Sequence, residues 1–379
     1  MTRSTFSFPT QIQYGAGARE ALAQFAAAHA VTRPLLVTDA GLVETDAFRL
    51  ISAECDRVWP CGWQLFSGVH PNPTDADVTA AHAAYLEAGC DGVVAVGGGS
   101  AIDCGKALRI QAAFPGVDLL DVRLDALPPR LLPFCAVPTT AGTGSEVGRS
   151  PVITVASLGR KAVLGGPPLM PDLAILDPEL TVGLPPHLTA ATGMDAMTHA
   201  IESYVCPVFH PMCDAIALEA VRIVVDYLPR AVTHGDDLDA RGRMLIAASM
   251  GAVAFQKDLG VAHSLAHPLS SEHGVHHGLA NAIVLANTVR FNGQTDAQQY
   301  ERVAEALRLV PGDDPSATVA DFLDQFNPLV GINQRLRDVG VPRENLPRLA
   351  ELAYQDPCHQ TNPRPCTEED LLMLYEQSW

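Results

Sequence analysis

Short runs of consecutive apolar residues, each closed off by turn residues, recur through the first half of the chain and are separated by stretches of helical period. Residues 34–39 (PLLVTD), 92–96 (GVVAV) and 131–137 (LLPFCAV) are the clearest of these runs. Apolar at successive rather than alternate positions, they predict strands buried on both faces, as in a parallel sheet. Residues 74–88 predict a helix between two of them, with Thr74 and Asp77 spaced as a capping-box variant and Gly89 as the stop. Strand, helix and strand in repetition predict a doubly wound α/β domain. After residues 177–186 (DPELTVGLPP) the texture changes to long Ala, Leu and Ile segments of helical period, such as 211–227 and 240–255. The chain is therefore expected to divide into an α/β domain over 1–182 and an all-α domain over 183–379.

The run 92–96 leads directly into Gly97, Gly98, Gly99 and Ser100, and then into the helical residues Asp103 to Lys106. Three glycines between a strand and a helix let a phosphate approach the backbone, where free N–H groups and the helix dipole favour its charge. Gly15 with Gly17 and Gly142 with Gly144 lack the rest of a dinucleotide fingerprint and carry no weight alone. Asp39 ends the first run, where its carboxylate fits two roles equally. It can bind the ribose hydroxyls of NAD and repel the extra phosphate of NADP, or it can cap the turn after it.

In the second half, Asp195 and His199 stand four residues apart on a helical segment, as do His263 and His267. That spacing places each pair on one helix face. Glu272, His273, His276, His277 and Gly278 come soon after. Carboxylate and imidazole groups in this pattern suit a metal bound by nitrogen and oxygen, Fe(II) or Zn(II), with no thiol in the motifs.

Taken together these motifs resemble the iron-containing alcohol dehydrogenases across nearly the whole chain. The resemblance rests on residues 71–74 (PNPT), 97–100 (GGGS) with Asp103 and Lys106, 138–146 (PTTAGTGSE), Asp177 with Pro178, Asp195 with His199, His263 with His267 and Pro268, His277 with Gly278, and 362–365 (NPRP). It implies an N-terminal nucleotide-binding domain with a parallel sheet and a helical C-terminal metal-binding domain. By that likeness the metal ligands are Asp195, His199, His263 and His277, with His267 beside the nicotinamide. Gly97, Gly98, Gly99, Ser100, Asp103, Thr139, Thr140, Thr143 and Lys161 fall on the cofactor side. Ser270, Ser271 and Glu272 depart from the family's usual Gly-containing, apolar stretch, so the likeness does not extend to the substrate pocket.

Charge and thiol usage narrow the setting. The chain has 25 Lys and Arg against 43 Asp and Glu, a net charge of −18, which opposes binding to nucleic acid or an anionic membrane. Its nine cysteines are scattered and form no CxxC pair, as expected of reduced thiols in a cytosol. Residues 1–10 lack the basic and apolar regions of an export leader, and no apolar stretch reaches membrane-spanning length. Only three of the 25 basic residues are lysines, and Lys106, Lys161 and Lys257 each lie in or near a segment assigned to the cofactor or metal.

The expected activity is hydride transfer between a small alcohol and NAD, with the cofactor from the first domain, the metal from the second and a homodimer as the default assembly. The metal is expected to lower the pKa of the substrate hydroxyl, as zinc lowers that of water from about 15.7 to about 7, with His267 relaying the proton. Arg149 and Lys257 are candidate cations for a substrate carboxylate, which points to a short hydroxy acid such as 4-hydroxybutyrate. The competing readings are a dehydroquinate-synthase-like lyase or a polyol or sugar-phosphate dehydrogenase of the same fold, and a metal hydrolase. The hydrolase leaves the glycine turn without a purpose.

Overall fold

The computed structural model describes Phe8 and residues 10–379, so the reading of residues 1–10 as leaderless falls mostly outside it. The described chain divides into two compact units, 8–140 with 144–184, and 141–143 with 185–379.

The strands of the first unit, in chain order, are β1 (Gln11–Tyr14), β2 (Pro34–Val37), β3 (Gln64–Phe66), β4 (Gly92–Gly97), β5 (Phe134–Pro138), β6 (Val152–Val155), β7 (Arg160–Val163) and β8 (Leu173–Leu176). Six of them form an all-parallel sheet in the order β1-β8-β5-β4-β2-β3, and β6 with β7 forms an antiparallel hairpin. Successive residues of β4 enter opposite cores, Val93 and Ala95 in one, Val94 and Val96 in the other. This is why the strand is apolar at every position. The run at 131–137 starts pairing only at Phe134, because Pro133 has no N–H to give; its carbonyl accepts from Val93 N at 2.9 Å. The helix Asp75–Glu87 carries the capping box of Thr74 and Asp77.

The strand order places the topological switch between β2 and β4, whose chains continue to opposite sides of the sheet. In open α/β sheets ligands bind outside the carboxyl ends of the strands at such a point. Here those ends carry Thr38 and Asp39 after β2, and Gly97, Gly98 and Gly99 at the close of β4.

The second unit is helical: Pro186–Val205, Pro211–Thr233, Leu238–Ala254, Val261–His273, His277–Gly293, Pro315–Leu329, Leu346–Gln355 and Glu368–Ser378 are its longer helices. One continuous apolar core joins them, rich in Ala, Val and Leu. Small residues let the helices approach closely. A Cβ on Gly278 would stand 2.1 Å from the Ala191 carbonyl oxygen, so the His277–Gly293 helix lies directly against Pro186–Val205. Among the described residues no single helix is long and apolar enough to cross a membrane. All nine cysteines are free thiols.

Candidate cofactor and metal sites

In the first unit the glycine turn is shaped for close approach. Gly97 adopts φ +147°, and a Cβ there would meet the Ala101 Cβ at 2.9 Å. Gly98 is the N-cap of the helix Gly99–Ala113 with no side chain satisfying its first N–H groups, which leaves them for an anion. Ser100 lies in the first turn of that helix, and Thr140 Oγ1 stands 3.4 Å from where a Gly98 Cβ would sit. Thr139 donates its N–H to the Gly97 carbonyl at 2.9 Å, tying the ends of β4 and β5 together. Asp39 caps the short helix Ala40–Val43 by accepting from Leu42 N at 3.0 Å through Oδ1. Its Oδ2 points the other way, 3.7 Å from the position of a Gly97 Cβ. Cofactor binding and capping are therefore both open to Asp39, one through each oxygen.

Asp103 is tied into the loop after β5. Its carboxylate accepts from Ser145 Oγ and from Val152 N at 3.0 Å, and lies 3.8 Å from Lys106 Nζ. These contacts fasten the loop after β5 to the helix through Asp103. Lys106, fully buried, donates to Ser145 O at 2.6 Å and Ser145 Oγ at 2.7 Å. Burial pushes its ammonium down to about 8, against the pull of Asp103 and Glu146. Burial raises the Asp103 pKa, against the opposing pull of Lys106, Ser145, Val152 and, least, Lys161 on β7. Thr143, half-buried, belongs to the segment 141–143 that packs with the helical unit; a Cβ on neighbouring Gly142 would stand 2.7 Å from the Thr192 carbonyl oxygen.

In the second unit, Asp195, His263 and His277 bring donor atoms within 4.8 Å of one another. Asp195 Oδ1 lies 3.5 Å from His277 Nε2 and 3.9 Å from His263 Nε2. A tetrahedral ion with bonds of about 2.1 Å spaces its ligands by about 3.4 Å, so these separations fit. The charge fits as well. Asp195 and Glu202 are both buried, and among the described residues neither pairs with Lys or Arg, which leaves two negative charges for a divalent cation to balance. The Asn281 amide donates towards Asp195 Oδ1 (2.8 Å), His263 Nε2 (3.2 Å) and His277 Nε2 (3.3 Å). Two N–H protons cannot satisfy three acceptors when the imidazoles are neutral, and a cation can.

His199 lies beside this trio. Its ring stacks on His263 with centroids 4.7 Å apart, and its buried Nδ1 has no hydrogen-bond partner. Burial lowers its pKa to about 4, so it is neutral and able to act as a ligand.

The imidazoles are oriented from behind. His263 Nδ1–H donates to Glu202 Oε2 at 2.6 Å, while Glu202 Oε1 accepts from Ala262 N at 2.6 Å. Burial opposes charge on His263, but Glu202 outweighs it and raises the pKa. His267 Nδ1–H donates to Asp356 Oδ2 at 2.7 Å. Hydrogen bonds from His267 and Cys358 overcome the burial of Asp356 and hold its carboxyl far below the usual range. The His267 and His277 rings are stacked 5.3 Å apart.

Residues 9–178 match the family described as Iron-containing alcohol dehydrogenase, and residues 189–379 match Fe-containing alcohol dehydrogenase family, C-terminal. The chain belongs to the iron-containing alcohol dehydrogenase family. It is an oxidoreductase of the alcohol dehydrogenase type. It is 40% identical to a 4-hydroxybutyrate dehydrogenase of Cupriavidus necator over 361 residues, covering 92% of each chain. Its fold matches that of a 1,3-propanediol oxidoreductase with a TM-score of 0.94 at 33% identity, over 99% of this chain and 100% of the other. A sulfoacetaldehyde reductase from Bifidobacterium kashiwanohense, solved in complex with NAD+, matches at 0.88 and 32% identity, over 100% and 99%.

Within this member of the family the two candidate substrate cations fare differently. Lys257 is buried and bound to Asp214 and to the Tyr204 carbonyl, so it is an internal ion pair and has no charge to offer a substrate. Arg149 is exposed and has no ion pair among the described residues. Glu202, Asn281 and Asp356 join the site without belonging to the ligand motifs. Glu202 lies seven residues after Asp195 and Asn281 four after His277, so helical spacing alone brings them to the ligand faces. Asp356 is 89 residues from His267, and no local pattern links them.

Glu202→Gln is expected to lower metal affinity about 10–100-fold, since an amide is a weaker acceptor for the His263 Nδ1 proton. Competition with a chromophoric chelator measures this. Unchanged affinity would reduce Glu202 to a cap for Ala262 N.

Proposed function

We propose that the chain is an NAD-dependent, divalent-metal-activated alcohol dehydrogenase for small alcohols and their aldehydes or ketones. The convergence of Asp195, His263 and His277 in a chain of this family carries the reading, with His199 as fourth ligand. When bound, a divalent Fe or Zn ion supplies Lewis acidity towards the substrate oxygen, and a nicotinamide exchanges hydride with the substrate carbon.

The protein's own part is to position these groups and to move the proton. Glu202 fixes His263 in the tautomer that presents Nε2 to the ion. Asp356 likewise holds the Nδ1 proton of His267, which leaves Nε2 to accept the substrate hydroxyl proton. The imidazolium that forms faces a carboxylate that stays ionised throughout, because its pKa is so low. Gly97, Gly98, Gly99 and Ser100 would hold the pyrophosphate of the cofactor. Nine free thiols suit a reducing cytosol, and a homodimer is the expected assembly.

Cofactor choice falls to Asp39. A carboxylate about 4 Å from a phosphate charge costs about 4 kcal/mol at an effective dielectric of 20, a figure that solvent reduces. Asp39→Gly is expected to raise the NADPH/NADH ratio of kcat/KM at least about tenfold, with little loss of stability because glycine is a tolerable N-cap. An unchanged ratio leaves Asp39 a cap alone.

A hydroxy acid or its semialdehyde is a second reading of the substrate, favoured by exposed Arg149 and by the name of the Cupriavidus necator relative. The test compares kcat/KM for succinic semialdehyde and butanal, tracking NADH absorbance. The reading expects the semialdehyde to be preferred and Arg149→Ala to remove that preference. A wild type that prefers butanal, or an Arg149→Ala loss equal for both, assigns the enzyme to uncharged substrates.

A further inference from the structure

A second group of donor atoms lies in the helical unit, outside the Asp195 trio. Asp356 gathers hydrogen bonds from three groups: Ser264 Oγ (3.0 Å) and Cys358 N (2.9 Å) on Oδ1, and His267 Nδ1 (2.7 Å) on Oδ2. Donor atoms of His267, Asp356 and Cys358 lie within 4.8 Å of one another, and all three side chains are only half-buried. Nitrogen, oxygen and sulfur at this spacing differ from the sulfur-free Asp195 trio in one chemical respect: a thiolate selects soft cations.

We propose that His267, Asp356 and Cys358 form a second metal site, favouring a thiophilic divalent cation such as Zn(II), and that filling it stops turnover. On binding, the Cys358 S–H bond breaks, its proton leaves to water and a sulfur–metal bond forms. His267 loses its Nδ1 proton as that nitrogen binds the cation and takes one up at Nε2, so one proton is released in all. Water completes the four-coordinate shell. With Nε2 protonated and Asp356 engaged, His267 can no longer accept the substrate proton. The block of turnover rests on the proposed role of His267; the existence of the site does not.

The test titrates Cd(II) into the enzyme already loaded at the first site and records the ultraviolet thiolate-to-cadmium absorbance. Cadmium exchanged into the Asp195 trio is silent there, because that trio holds no sulfur. The wild type is expected to gain the band up to one equivalent, and Cys358→Ser to lack it. In parallel, Zn(II) beyond the first equivalent is expected to lower kcat at least about tenfold in the wild type and to leave Cys358→Ser unaffected. No band in the wild type, or the same band in Cys358→Ser, overturns the site. A Cys358-dependent band with unchanged turnover upholds the site and overturns the block through His267.

Discussion

His263→Ala is expected to lose most bound metal and at least about three orders of magnitude in turnover, while still binding NADH. Lewis-acid activation contributes several kcal/mol to a transition state, and about 4 kcal/mol corresponds to that loss. The variant removes one of three converging donors and also strips Glu202 of its partner, leaving a buried carboxylate with only the Ala262 N–H. An unsatisfied buried group costs about 1–3 kcal/mol, so some loss of thermal stability accompanies the loss of metal. The glycine turn and Asp39 belong to the other compact unit, which is why NADH binding is expected to survive. Bound metal by elemental analysis, turnover and NADH fluorescence together check the result. Full turnover in chelator-treated His263→Ala would remove the metal from the chemistry.

Gly278→Ala is expected to damage the metal site without touching a ligand. The added Cβ would stand 2.1 Å from the Ala191 carbonyl oxygen, 2.7 Å from its carbon and 3.1 Å from the Asp195 Cβ. Two of these atoms are backbone, so no rotamer change relieves the clash. The His277–Gly293 helix must withdraw by about 1 Å, carrying His277 away from Asp195, and a misplacement of that size costs about 100-fold in activity. Overpacking adds about 1–3 kcal/mol of destabilisation. Gly183→Ala is the control, since a Cβ there meets nothing within 4 Å, and it is expected to change neither quantity. Wild-type metal affinity in Gly278→Ala would show that the helix contact does not set the ligand spacing.

Features governed by local pattern are legible in the sequence. Buried strands β2, β4 and β5 show as unbroken apolar runs, and the capping box at Thr74 and Asp77 reads directly. Edge strand β1 (QIQY) does not, because one polar residue in two leaves no run to detect. Helical spacing pairs Asp195 with His199 and His263 with His267, and the structure in addition brings Asp195 together with His263 and His277, with the His199 ring stacked on His263. Sharing a helix face does not decide which donor atoms converge; packing between helices does. The same limit applies to Lys257, whose partner Asp214 lies 43 residues away, and to Asp103, whose carboxylate is held by Ser145 and Val152 across a loop. The partners that orient His263 and His267 come from 61 and 89 residues away, and only folding brings them near.

The most direct test is reconstitution of the metal-free protein. After chelation, oxidation of NADH with a panel of small aldehydes is measured before and after one equivalent of Fe(II) or Zn(II) is restored. Restoration of aldehyde-dependent NADH oxidation from near zero is the predicted result, with no recovery in His263→Ala. Aldehyde reduction that proceeds at the same rate without metal, or none with any aldehyde in the fully loaded protein, would contradict a metal-activated alcohol dehydrogenase.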